Sequence, residues 1–155
     1  KNNHQEHQTG KLSSIMVYPI FHGFTKDKKY MEFEGFIKGS EKFIVISVDD
    51  YLMPVSNSKD LKSKEKLQVS IELTKDEALL FVNSISSTID EYRKKTDHFA
   101  VYHQDFSVNN EFYFSFGSYR NYGAPEHIID LWIKGQKYSI KYLRIVKEIR
   151  NFLEN

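Results

Sequence analysis

From Tyr30 to Lys38 the chain alternates. Met31, Phe33, Gly35 and Ile37 fall on one side, with Glu32, Glu34 and Lys38 on the other. A period of two predicts a half-buried strand. The same period runs through 67–73, where Leu67, Val69, Ile71 and Leu73 face in and Gln68, Ser70 and Glu72 face out. Lys42 to Val48 is more continuously apolar and predicts a strand covered on much of its surface. Ile15 to Phe21 predicts a first strand, and Pro19 inside it points to an edge position or a bulge, because proline donates nothing to a ladder. Downstream, 98–103, 111–119 and 128–134 predict three further strands. Phe112, Phe114 and Phe116 are inward on the second, and Ile129, Leu131 and Ile133 on the third. A short KYSI segment after Gly135-Gln136 is a candidate fourth.

Two stretches change period. Thr74 and Glu77 have the spacing of a capping box. Behind them Ala78, Phe81, Val82, Ile85, Ile89 and Tyr92 recur at helical spacing, and Arg93-Lys94-Lys95 puts positive charge at the carbonyl end. A second helix is predicted from about Lys141 to Leu153, with Ile140, Leu143, Val146, Ile149 and Leu153 as its apolar stripe. The order is therefore ββββα followed by βββ(β)α, an α+β antiparallel fold that allows two similar units, 12–95 and 96–155.

Two segments read almost alike: FIKGSEKF at 36–43 and WIKGQKY at 132–138. They fall on neighbouring but different turns of the two units. Glycine after a strand, flanked by lysine, is ordinary hairpin chemistry, so independent turns are favoured over a duplication. The opening residues 1–11 are polar and read as a flexible tail before a single domain, 12–155. The connection 53–66 is long and rich in Ser and Lys.

Composition narrows the function classes. Of the 155 residues, 40% are hydrophobic, enough for a core, and 15% are aromatic, which suits sheet. The formal net charge of +1 gives no global pull toward polyanions, so any electrostatic recognition must be local. The absence of cysteine removes disulfides, zinc-thiolate sites and thiol catalysis. No apolar run approaches the roughly 18 residues of a spanning helix. The polar start beginning at Lys1 is of the kind that follows a removed signal peptide or a lipidated cysteine. A cytoplasmic location is expected slightly ahead of an exported or lipid-anchored one.

No catalytic or cofactor motif is present: no P-loop, GxGxxG or GxSxG occurs. His103 is expected to be a partly buried strand-end histidine beside Phe99 and Val101. Glu32, Glu34, Asp49 and Asp50 are read as a solvated polar face rather than a cation site. No metal, cofactor or catalytic residue is therefore expected, and the chain leans away from an enzyme.

Aromatic residues on an outward face are the stronger signal. Tyr113 and Tyr119, separated by Ser115 and Gly117, lie opposite the Phe face of their strand. Trp132 and Asp130 lie outward on the next, with Lys134 beyond. Adjacent in one sheet, Tyr113, Tyr119, Trp132 and Lys134 would form an aromatic platform with a basic rim, extended by Lys141 and Arg144 of the last helix. Such a face stacks nucleobases, sugars or partner side chains. The element order resembles the twice-repeated ββββα plan of single-strand nucleic-acid binders of the Whirly and PUR type, loosely over 12–153. The resemblance implies topology and carries no residue roles.

The expected function is a non-enzymatic binding module, with single-stranded DNA or RNA as the leading ligand. An exported or lipid-anchored cell-surface protein that recognises a protein or glycan is the alternative. A homo-oligomer is compatible with both.

Overall fold

The computed structural model describes residues 7–19, 29–51, 66–94, 102–121, 124–140 and 144–155. Its elements are β1 (His7–Pro19), β2 (Lys29–Lys38), β3 (Glu41–Tyr51), β4 (Lys66–Thr74), α1 (Lys75–Lys94), β5 (Tyr102–Ser107), β6 (Phe112–Asn121), β7 (Ala124–Ile133), β8 (Gln136–Ile140) and α2 (Arg144–Glu154). This is the α+β fold and the element order that the periodicities predict. Each group of four strands is an antiparallel meander, and the strand order across both is β4-β3-β2-β1-β8-β7-β6-β5. The halves join at a short seam, where Tyr18 faces Ser139 and Pro19 faces Tyr138.

The first strand differs from expectation in two ways. It begins at His7, so residues 7–11 of the predicted tail are paired, His7 with Lys38 through Lys11 with Glu34. Ladder bonds are made by the backbone, so the polar side chains of HQTGK are no obstacle to pairing. The strand is also joined on its second side, to β8, but only over its last two residues, Tyr18 and Pro19. Pro19 is tolerated because it is the last residue of β1, and the irregular register lies elsewhere, between Lys11 and Ser14.

Alternation buries the predicted side of each strand. Met31 and Phe33, Ile44, Ile46 and Val48, Val69, Ile71 and Leu73, Phe112, Phe114 and Phe116, and Ile129, Leu131 and Ile133 all lie in one core. Both helices press onto that inner surface. Phe81 of α1 meets Phe112 and Phe114 of β6 edge-on, with centroids 5.5 and 4.9 Å apart. A helix from the first half thus packs on a strand of the second, and the two halves share a single core. In α2 the buried stripe is Ile145, Val146, Ile149 and Leu153. Ile140 is buried too, but as the end of β8.

Specific contacts fix the helices. Arg150 Nη2 donates to Asn83 Oδ1 (3.0 Å) and Ser86 Oγ (2.7 Å) on α1. Lys42 Nζ donates to the Phe152 carbonyl (3.0 Å) at the negative end of α2, and the ammonium sits 5.5 Å from the Phe152 ring centre. That ring lies so close to β2 that a Cβ on Gly35 would be 2.5 Å from it. The capping box forms as predicted: the Glu77 N–H donates to Thr74 Oγ1 (3.2 Å), and the Thr74 N–H donates to Glu77 Oε1 (3.0 Å).

Candidate binding face

The outer surface of β5–β8 carries one continuous row. Cross-strand register sets Ser107 opposite Tyr113, Tyr113 opposite Trp132, and Trp132 opposite Lys137. The Tyr113 and Trp132 rings are stacked, 5.0 Å between centroids and 13° from parallel. Lys137 Nζ is 5.1 Å from the centre of the Trp132 ring. Both distances match the strand spacing of about 4.8 Å. The rings therefore stand on edge and stack along the row, perpendicular to the strands. A lysine closes one end of this ladder. At the other, the second face of Tyr113 looks across exposed Ser107 toward the sheet edge, and Tyr113 is 42% exposed.

The adjoining row is Ser139, Asp130, Ser115 and Asp105. Ser139 Oγ donates a short hydrogen bond to Asp130 Oδ1, and Lys137 Nζ lies 4.0 Å from the other Asp130 oxygen. Ser115 is buried between its neighbours. Asp105 is exposed and faces His103, with Nε2 and Oδ1 3.0 Å apart. His103 is thus an exposed residue of this outer face rather than a buried one. β5 begins at Tyr102, and Phe99 and Val101 lie outside the described residues.

The predicted site residues separate. Tyr113 and Trp132 come together as expected, but as an on-edge stack and not a flat platform. Tyr119 pairs with Glu126, about 20 Å along β6 from Tyr113, and its side chain is outside the described set. Lys134 leaves the face. It sits in the two-residue hairpin loop with φ +50°, where the pleat is broken, and its ammonium turns to Glu111 at 3.8 Å. Arg144 starts α2, which packs on α1 and the inner side of the β1–β3 half. It pairs with Glu148 at 3.7 Å, away from Tyr113 and Trp132. Lys141 lies outside the described residues. Lys134 and Lys137, the two lysines of the expected basic margin nearest the stack, each lie within 4.0 Å of a carboxylate.

Two features were missed in the sequence. The first is Asn109. Its Nδ2 donates to Glu77 Oε2 at 2.7 Å, while its Oδ1 accepts from the Glu111 and Phe112 N–H groups at 2.8 and 2.9 Å. It pins the β5–β6 turn to the start of α1. Its amide, followed by the Thr74 N–H, holds the Glu77 carboxyl below the ordinary 4.5 against the opposing effect of burial. The second is an aromatic pair on the outer side of the other half. Phe36 and Phe43 stack at 5.7 Å and 9°. They line an open cavity of about 750 Å³ with Val45, Glu72 and Thr74. Phe36 among Glu32, Glu34 and Lys38 was the available signal: a large ring on an otherwise charged face.

Among the described residues no three His, Asp or Glu side chains gather as a cation site, and no helix is long and apolar enough to cross a membrane. The sequence matches no protein-family model and no curated protein.

Proposed function

We propose that this protein is a non-enzymatic binding module whose ligand face is the outer surface of β5–β8, and that it takes the C–H face of one uncharged pyranose ring of a glycan against Tyr113. The observation that carries this is the ladder open at one end. Trp132, itself covered by Lys137, stacks on Tyr113, and Tyr113 is exposed with Ser107 opposite it on the edge strand and Asp105 two residues earlier. The negative face of an aromatic ring attracts the C–H side of a pyranose. A hydroxyl and a carboxylate next to it suit the sugar's hydroxyl groups.

Single-stranded nucleic acid is the second reading. A stacked aromatic pair with Lys137 over one end favours it, since bases stack on such rings. The pairing of Lys134 and Lys137 with carboxylates counts against it, because binding a polyanion relies on cations free to displace its counterions.

The test is a titration of the protein, following Trp132 emission, with neutral hexose and N-acetylhexosamine oligosaccharides. Short oligothymidylate and oligouridylate are run in parallel at low and physiological salt. A saturable, salt-insensitive change in Trp132 emission with a sugar is expected, and Tyr113→Ala should abolish it. Salt-sensitive binding of the oligonucleotides alone would replace the glycan reading with the second one. No response to either class would overturn both.

A further inference from the structure

We infer that the cavity beside Phe43 is a second site for the same chemical class, a single uncharged pyranose ring; this rests on the ligand class proposed above. The two halves of the sheet carry the same local arrangement at opposite edges. In the second half, Trp132 and Tyr113 stack, and the edge strand β5 presents Ser107 next to them, with Asp105 two residues earlier on the same side. In the first half, Phe36 and Phe43 stack, and the edge strand β4 presents Thr74, with Glu72 two residues earlier. The edge strands read Asp105-Phe106-Ser107 and Glu72-Leu73-Thr74. In each, the middle residue turns inward: Leu73 is buried, and Phe106 stacks on Phe114 at 4.9 Å.

The chemistry at the two places is alike. Phe36 covers one face of Phe43, and the other face turns along the row toward Thr74, where the cavity opens. Thr74 Oγ1 accepts from the Glu77 N–H and its proton is turned to the Glu77 carboxylate, so what it offers a ligand is its remaining lone pair, an acceptor for a sugar hydroxyl. Glu72 is exposed at the rim and can accept from a ligand hydroxyl. Charge at the rim is nearly balanced. Lys38 and Lys75 stand against Glu41, Glu72 and Asp76, and Lys42 is committed to the Phe152 carbonyl. A neutral ring fits that balance better than an anion or a cation. The cavity of about 750 Å³ has room for one or two sugar rings.

The experiment is amide chemical-shift mapping of the intact chain, titrated with the neutral oligosaccharides of the first test and with oligothymidylate. Two separate groups of shifted amides are expected with the sugar, one around Phe43 and Glu72–Thr74 and one around Ser107 and Tyr113. In Tyr113→Ala the first group should persist while the second disappears. In Glu72→Gln, an exposed substitution that leaves the core intact, the first group should need several-fold more sugar. Shifts confined to Ser107 and Tyr113 would overturn the second site and leave the first standing. Shifts confined to Phe43 and Glu72–Thr74 would support the cavity and overturn the β5–β8 face. Shifts with oligothymidylate alone, or with neither probe, would overturn the cavity as a sugar site.

Discussion

Replacing half-buried Asn109 with alanine should cost more than replacing its exposed neighbours Asn110 or Glu111 in the β5–β6 turn. Three hydrogen bonds end on this side chain. The 2.7 Å bond to the Glu77 carboxylate has a charged acceptor, and such bonds contribute about 1.5–3 kcal/mol, less where water reaches them. The bonds from the Glu111 and Phe112 N–H groups contribute about 0.5–1.5 kcal/mol each, and water takes over part of the exposed Glu111 bond. A net loss of about 2–3 kcal/mol is expected for Asn109→Ala at neutral pH. The pH dependence has a definite sign. The folded-state value of Glu77 is depressed below 4.5, so its contribution is fully present above that value and is lost as pH falls through the folded value. Asn109 is the largest cause of the depression. The difference between wild type and Asn109→Ala should therefore shrink from about pH 6 to about pH 3. Asn109→Asp keeps an acceptor for the turn but sets a second carboxylate against Glu77, and should be worst at neutral pH and recover in acid. Urea unfolding at the two pH values measures all of this. A neutral-pH loss below about 0.5 kcal/mol, or an equal loss at both pH values, would refute the clasp.

Gly35→Ala should destabilise by about 1–3 kcal/mol through overpacking against the Phe152 ring. The penalty should largely vanish in a Phe152→Ala background, which a double-mutant cycle of unfolding free energies would read. Arg150→Met keeps the aliphatic stem but removes the bonds to Asn83 and Ser86, and should cost about 1–2 kcal/mol in chemical denaturation. Tyr113→Ala should cost no more than about 1 kcal/mol in the same assay, because its ring is exposed and its loss uncovers only one face of Trp132. A loss of about 3 kcal/mol or more would mark it as a core residue.

What could be read in advance was what local chemistry decides. Thr74 and Glu77 are three residues apart, so the cap follows from spacing alone. Phe112, Phe114 and Phe116 face the core because a pleat alternates whatever its neighbours are. The pairing partners of β1 were not legible, since its polar half, HQTGK, carries no apolar period and the β1–β8 seam joins residues from opposite ends of the chain. Asn109 and Glu77 are brought together only by the fold. At the candidate face, the meeting of Tyr113 with Trp132 followed from alternation once the two strands paired. The loss of Lys134 did not. Simple alternation places Lys134 with Trp132, and only the positive φ at Lys134 sends it to Glu111 instead.

The two look-alike segments show how much a single backbone step decides. In FIKGSEKF the loop is Gly39-Ser40, Lys38 pairs with Glu41, and φ is positive at Gly39 (+61°), the first loop position, as in a type II′ hairpin. In WIKGQKY the loop is Lys134-Gly135, Ile133 pairs with Gln136, and φ is positive at both (+50° and +82°), as in type I′. The loop has slipped by one residue relative to the shared letters, and a one-residue slip exchanges the faces of a strand. Phe36 and Trp132 both remain outward, because they precede the loops. After the loops, Lys42 faces the inner side and reaches Phe152, whereas Lys137 faces outward and covers Trp132. Phe43 then stacks outward on Phe36, whereas Tyr138 is buried. The likeness of the two segments is therefore turn chemistry without equivalent roles. The structural echo between the halves lies at the sheet edges, in Glu72-Leu73-Thr74 and Asp105-Phe106-Ser107, where the sequences share residue classes rather than letters.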